Sequence, residues 1–447
     1  WHVLPARRLA LAAAERWMLQ HFDGSQGLGA IFPPMVWSAI ALRALGYGDD
    51  TPELAYCYRY IAGLLIEEGD TLRVQPCKSP VWDTAITLRA LAATGLGAEH
   101  GAVERASQWL LDAQIVGRGD WAQTVAAEPG GWCFEHANQF FPDLDDTAMV
   151  VMALAGQFEP ERAQALTGVH FAVEMDGGHV PTPDSTRTST LARSNRSIAK
   201  AERWMLAMQN RDGGWGAFDR DNDREFLRHV PFADHNAMID PSTPDLTARV
   251  LEALGHLGRR TGDCAVDRAI AYLRRTQEAD GSWFGRWGVN YVYGTWQVLN
   301  GLAAVGVPAT DPLMVAGGRW LLKHQHPSGA WGESPDSYAQ PHLRGQGRPT
   351  ASQTAWAVLG LLAAGLGHDE ATARGVLYLI AQQCDDGTWD EPEFTGTGFP
   401  RVFYLRYHLY RIYFPLLALA RWAALIGAEP AQPETARREL AGSPHAP

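Results

Sequence analysis

A short unit recurs along this 447-residue chain: an amphipathic stretch ends in Gln, a polar turn with Gly follows, and Trp stands six residues after the Gln. The copies run from Gln209 to Trp215, Gln277 to Trp283, Gln325 to Trp331 and Gln383 to Trp389. A looser copy joins Gln114 to Trp121, and a degenerate one runs from Gln20 to Gly27, with Leu28 where Trp is expected. Self-similarity of this kind marks one supersecondary unit stacked on its neighbours. Gln at a helix end can bond the carbonyls that a helix leaves open, or the N–H groups of the next helix. Gly lets the chain turn sharply, and Trp can fold back over the turn. These residues are read as braces between helix ends, with no chemistry of their own.

Between the copies lie second apolar stretches, at 81–93, 148–156, 246–257, 292–305 and 354–365, rich in Ala and Leu with few charges. A helix apolar nearly all round is buried. Alternating amphipathic and buried helices predicts an all-α fold in two concentric layers, an α/α barrel, over residues 79–428. Residues 1–78 carry helices that belong to another packing unit. The stretch 175–196, dominated by Gly, Pro, Ser, Thr and Arg, is expected to be a surface loop, and 429–447 a loose tail.

Composition narrows the function. Apolar residues make up 46%, enough for a large core, and the net charge of −12 argues against a nucleic-acid partner held through phosphates. The five Cys are scattered without metal-ligand spacing, which fits free, packed thiols. No apolar run of about 18 residues is present, so no transmembrane helix is expected, and no signal peptide is visible. The chain starts at Trp1, which reads as a protein lacking its N-terminal part.

The chemistry concentrates in Asp143-Leu144-Asp145-Asp146-Thr147-Ala148, between Phe140-Phe141 and an apolar run. Carboxylates this close cannot all ionise cheaply in a dry site, so one proton is retained near neutral pH. A neutral carboxylic acid beside aromatic walls suits protonation of a weak base such as an alkene. Two other readings stand beside it. Asp caps helix N-termini and favours the positive end of the helix dipole, and clustered carboxylates can hold Mg²⁺.

That acid run, combined with the Gln–Trp repeat, resembles squalene–hopene cyclases. Supporting stretches are Ser79–Ala85, Gly281–Tyr291, Ser352–Trp356 and Thr395–Pro400 through Tyr407. The similarity extends from about residue 14 to residue 422, and 175–196 looks like an insertion. The resemblance implies one nearly complete α/α barrel, with residues 1–78 as the remainder of a second. It implies Asp145 as the proton donor, flanked by Asp143 and Asp146, with Arg249 binding the flanking carboxylates and leaving the proton on Asp145. Asp245, one helical turn before Arg249, would join that network, although a helix cap after Pro244 explains it equally well. The implied reaction is protonation-initiated cyclisation of squalene to hopene or hopanol, without metal or cofactor.

Aromatic faces stabilise migrating cations by about 2 kcal/mol or more each when desolvated. The positions that match the family's cavity aromatics are Trp82, Phe134, Phe218, Trp287 and Tyr293. To these the resemblance adds Phe399, Phe403, Tyr404, Tyr407 and Tyr410. Phe232 would line a constriction on the substrate channel. The implied partners are squalene or a related isoprenoid and a membrane surface, held monotopically at the cytoplasmic side of the bacterial cell membrane, together with a second copy in a homodimer. The rival readings are a cyclase of another isoprenoid, an inactive fragment and a lipid-binding barrel. Protein prenyltransferase subunits and metal-dependent terpene synthases need Zn²⁺ or Mg²⁺ motifs that the sequence does not display.

Overall fold

The computed structural model describes residues 6–158, 185–230 and 238–427. Among them are fourteen α-helices and two short antiparallel hairpins. The fold class is all-α, as the repeat predicts. The chain forms two compact units that interleave in sequence: 1–86, 105–154 and 185–242 in the first, and 87–104, 155–184 and 243–447 in the second.

The first unit opens with α1 (Arg7–Gln20), α2 (Phe32–Leu45) and α3 (Pro52–Ala62). Met18, Phe22, Ala39, Leu42, Leu54 and Cys57 form their shared core. The hairpin of β1 (Leu65–Glu68) and β2 (Thr71–Val74) follows, Leu65 pairing with Val74. Then come α4 (Pro80–Ala93), α5 (Gly101–Asp112) and α6 (Leu144–Phe158), along which the chain passes between units. The last helix of the first unit, α7, spans Ser185–Ala207. It corrects the expected loop over 175–196, which is helical from Ser185 onward. The polar composition hid the apolar face that anchors the helix further on, where Ala201, Trp204 and Met205 are fully buried. Ser194 and Ser197 are buried on the same helix, whose stability comes from packing of that face rather than from propensity. The remainder of the expected loop, and the expected tail at 429–447, lie outside the described residues.

The second unit shows how the repeat builds two layers. The buried helices α8 (Pro244–His256), α10 (Tyr291–Ala304), α12 (Ala351–Ala363) and α14 (Tyr410–Leu425) pack consecutively against one another. The amphipathic helices α9 (Cys264–Thr276), α11 (Pro312–Lys323) and α13 (Glu370–Ala381) pack on their outside. Every residue of α8 is buried, whereas α9 buries only the stripe Val266, Ala269, Tyr272 and Leu273. Inner helices approach backbone to backbone. A Cβ at Gly301 of α10 would collide with the Ala248 carbonyl of α8, and one at Gly255 would lie 2.5 Å from the Ala304 carbonyl.

The brace is the same hydrogen-bond set each time. Gln209, Gln277, Gln325 and Gln383 each donate through Nε2 to the Gly carbonyl four residues later. Trp215, Trp283, Trp331 and Trp389 each donate through Nε1 to a helix carbonyl ten residues earlier. Gln277 and Gln325 also reach the next outer helix, at Leu313 and Ala371. The looser copy needs correction. The tryptophan that completes the Gln114 brace is Trp132, whose indole donates to the Leu110 carbonyl at 2.6 Å. An inserted segment separates the two, so a fixed spacing could not find the pair.

Candidate active site

The acid motif begins α6, in the first unit. The Asp143 N–H donates to the Trp132 carbonyl at 2.9 Å, and the Leu144 N–H donates to Ala217 at 2.9 Å. The Thr147 hydroxyl donates to the Asp143 carbonyl and accepts from the Trp132 N–H. The motif is thus pinned by the first Gln–Trp brace, and Asp143 caps α6 by accepting from the Asp146 N–H at 2.7 Å. The capping reading therefore holds for Asp143, while Asp145 and Asp146 occupy the first turn.

Burial separates the three carboxylates. Asp143 is 4% exposed and Asp146 2%, whereas Asp145 is half-buried and keeps accessible surface. Burial raises the Asp143 pKa, against the hydrogen bonding from Asp146 that pulls it down. Burial, and then the charge of Asp143, holds Asp146 well above the usual carboxylate range. Burial thus favours a proton retained within the Asp143–Asp146 pair.

A fourth carboxylate belongs to this neighbourhood and sequence reasoning missed it. Glu135 is 7% exposed, and burial followed by the charge of Asp143 pushes its pKa up to about 8. Its Oε2 accepts from Asn138 Nδ2 at 3.3 Å. The available signal was a lone acid in the apolar, aromatic stretch Trp132-Cys133-Phe134-Glu135. Trp82 is buried in this unit, Phe134 is half-buried and Phe218 is exposed. Phe232 lies outside the described residues.

Arg249 and Asp245 belong to the second unit, on α8. Both are 1% exposed. Arg249 Nη2 donates to the Tyr293 hydroxyl at 2.5 Å. Asp245 does not cap its own helix. Its Oδ2 accepts the backbone N–H groups of Arg286 and Trp287, at 2.8 and 2.9 Å.

The second unit's candidate aromatics fall into two groups. Tyr293 and Tyr410 are core, packed with Trp356 at ring distances of 4.9 and 5.9 Å. Trp287, Phe399, Phe403, Tyr404 and Tyr407 are half-buried and retain accessible surface. Phe399 and Phe403 lie on the hairpin of β3 (Gly396–Phe399) and β4 (Phe403–Leu405), their rings 5.7 Å apart. Among the described residues, no group of three or more His, Cys, Asp or Glu is placed to hold a metal ion.

An all-α fold of inner and outer helices, with a desolvated carboxylate cluster at one helix start, places the chain in the α/α-barrel class. Within that class, the squalene–hopene cyclase C-terminal domain model matches residues 78–180 and 176–424, and the N-terminal domain model matches residues 1–70. The chain is 45% identical over 423 residues to a probable squalene–hopene cyclase of Sinorhizobium fredii, covering 94% of this chain and 61% of that protein. It is 41% identical to the squalene–hopene cyclase of Bradyrhizobium diazoefficiens, over 94% of this chain and 60% of that one. It is 39% identical to a dammaradiene synthase of Dryopteris crassirhizoma, over 96% and 62%. The chain belongs to the squalene–hopene cyclase family, and it spans about 61% of the length of the first of these relatives.

Proposed function

We propose that the protein is a triterpene cyclase that protonates squalene and cyclises it to hopene or hopanol. The observation that carries this reading is the desolvated cluster at the start of α6, where Asp143 and Asp146 are buried and Asp145 keeps accessible surface. Squalene has no leaving group, so its cyclisation starts with proton transfer to a terminal double bond. Asp145 delivers that proton, and the proton retained on the Asp143–Asp146 pair replenishes it. Positive charge then moves along the folded polyene, and aromatic faces stabilise it without acting as bases. Loss of a proton from the last cation ends the reaction as hopene, and capture of water followed by loss of a proton from its oxygen ends it as hopanol, so either ending releases the one proton spent at the start.

The relatives include a dammaradiene synthase and an enfumafungin synthase. They support cyclisation of an isoprenoid more broadly than they support hopene. We assign Arg249 and Asp245 supporting roles in the second unit, the first through Tyr293 and the second through the Trp287 turn. Among the described residues no helix is long and apolar enough to cross a membrane. Because the substrate is a lipid, the reading includes monotopic attachment at the cytoplasmic face of a bacterial membrane, as a homodimer.

The test is mass spectrometry of lipids formed when the full-length, detergent-solubilised protein is incubated with squalene, with Asp145→Asn as control. A pentacyclic product that disappears in the variant supports the assignment. Equal product from the variant removes Asp145 as the acid. No product from squalene or from a shorter prenyl substrate favours a lipid-binding barrel.

A further inference from the structure

Two of the four inner helices in the second unit, α10 and α12, start on the same device, and α8 inverts it. At α10, Glu333 Oε2 accepts the N–H groups of Asn290 and Val292. At α12, Glu391 Oε2 accepts the Ser352 N–H, and its Oε1 accepts the Ser352 hydroxyl. In both cases a loop carboxylate, two residues past the brace tryptophan, satisfies the helix start. At α8 the polarity is reversed. The helix supplies the carboxylate, Asp245, and the loop after Trp283 supplies the donors, the N–H groups of Arg286 and Trp287. A buried carboxyl oxygen that accepts two backbone N–H groups makes a directional anchor.

The same loop is held on its other sides. The Tyr338 hydroxyl lies 2.7 Å from the Gly285 carbonyl and 2.8 Å from that of Gly288. The Trp287 carbonyl accepts from the Thr397 N–H of β3 at 3.3 Å. The Arg286 guanidinium lies over the Trp287 ring at 4.2 Å and the Phe399 ring at 5.1 Å, and Nη1 donates to the Gly398 carbonyl at 2.9 Å. One planar cation therefore covers a face of each ring and ties the loop to the hairpin. Both rings stay half-buried, so surface remains for a ligand.

We propose that Arg286, Asp245 and Tyr338 are positioning residues that hold Trp287 and Phe399 as one rigid aromatic pair, and that they thereby govern which product the cyclase releases. The proposal rests on the cyclase reading. A ring that stabilises a carbocation acts only at short range and over its face. A loosened pair would let the cation lose a proton early, giving products with fewer rings. Arg suits the task because its fork bonds a carbonyl while its plane stacks on an aromatic face, which Lys cannot reproduce.

The experiment labels the full-length protein with fluorotryptophan and identifies the Trp287 resonance as the one lost in Trp287→Phe. Arg286→Lys and Tyr338→Phe are then compared with wild type for that resonance, for product distribution from squalene, and for thermal midpoint. Tyr338→Phe removes a single oxygen and guards against misfolding. The proposal expects a shifted or broadened Trp287 resonance in both variants, with a several-fold rise in the share of incompletely cyclised products. An unchanged resonance overturns the frame. A moved resonance with an unchanged product ratio overturns its control of the product. If wild type converts no squalene, the cyclase reading fails, while the fluorine spectrum still decides whether these residues fix Trp287.

Discussion

Asp143 accepts the Asp146 N–H at 2.7 Å, so one acid of the motif caps the helix that buries the other. Structure and chemistry share the same three residues. The cap fixes the first turn of α6, and that turn leaves Asp145 as the carboxylate with accessible surface. Separating the roles requires substitutions that change charge without changing hydrogen bonding.

Asp143→Asn should keep the cap, since Asn caps about as well as Asp, and Asp143→Ala should lose about 1 kcal/mol relative to Asn. Chemical denaturation at pH 7 measures the difference. Equal stability of the two variants would show that the cap contributes nothing.

Glu135 predicts a pH dependence. Its pKa is raised from 4.5 to about 8 by burial and by Asp143, so between those values the folded protein binds more protons than the unfolded chain. Stability from this group therefore falls as pH rises from about 4.5 to about 8 and is level above it. Glu135→Gln should flatten that decline and raise the thermal midpoint at pH 8 relative to wild type. A parallel decline in both proteins would place the effect elsewhere.

Glu252 predicts the opposite slope in the second unit. It pairs with Arg89 at 2.5 Å, and Gln297 donates to its other oxygen at 3.1 Å. Burial works to raise its pKa, but Arg89 and Arg421 outweigh that and hold it at about 2. Burial and the charge of Arg89 lower neighbouring His256 to about 3. Both stabilities are complete above the unfolded values and decline as pH falls from about 6.5 toward 2, because the unfolded chain then binds the extra protons. Glu252→Gln should cost ~3–5 kcal/mol by leaving buried guanidinium charge uncompensated. Hydrogen-exchange protection across α8 and α10, taken relative to the intrinsic rate at each pH from 7 to 4, should fall before that of α1–α3.

Trp215 tests the brace. It is fully buried, and its indole donates to the Met205 carbonyl at 2.8 Å. Trp215→Ala should lower stability by ~3–5 kcal/mol while turnover per folded molecule changes less. Loss of turnover at unchanged stability would assign this tryptophan to the reaction.

The repeat spacing determined the two-layer helical fold, because a fixed Gln-to-Trp distance leaves one way to close each helix end. Apolar composition identified α8, α10 and α12 as inner helices, and carboxylate crowding pointed to Asp143, Asp145 and Asp146 as acids whose ionisation is costly. What the sequence could not supply depends on residues meeting across long separations. Trp132 replaced Trp121 as the partner of Gln114 because an intervening segment broke the spacing. Glu135 joined the acids because its side chain is desolvated, and burial is a property of packing. Asp245 left its own helix start uncapped and took the N–H groups of Arg286 and Trp287, 41 and 42 residues on. Tyr293 and Trp287 are both aromatic in sequence, and tertiary packing alone buried the first against Trp356 and left the second a surface.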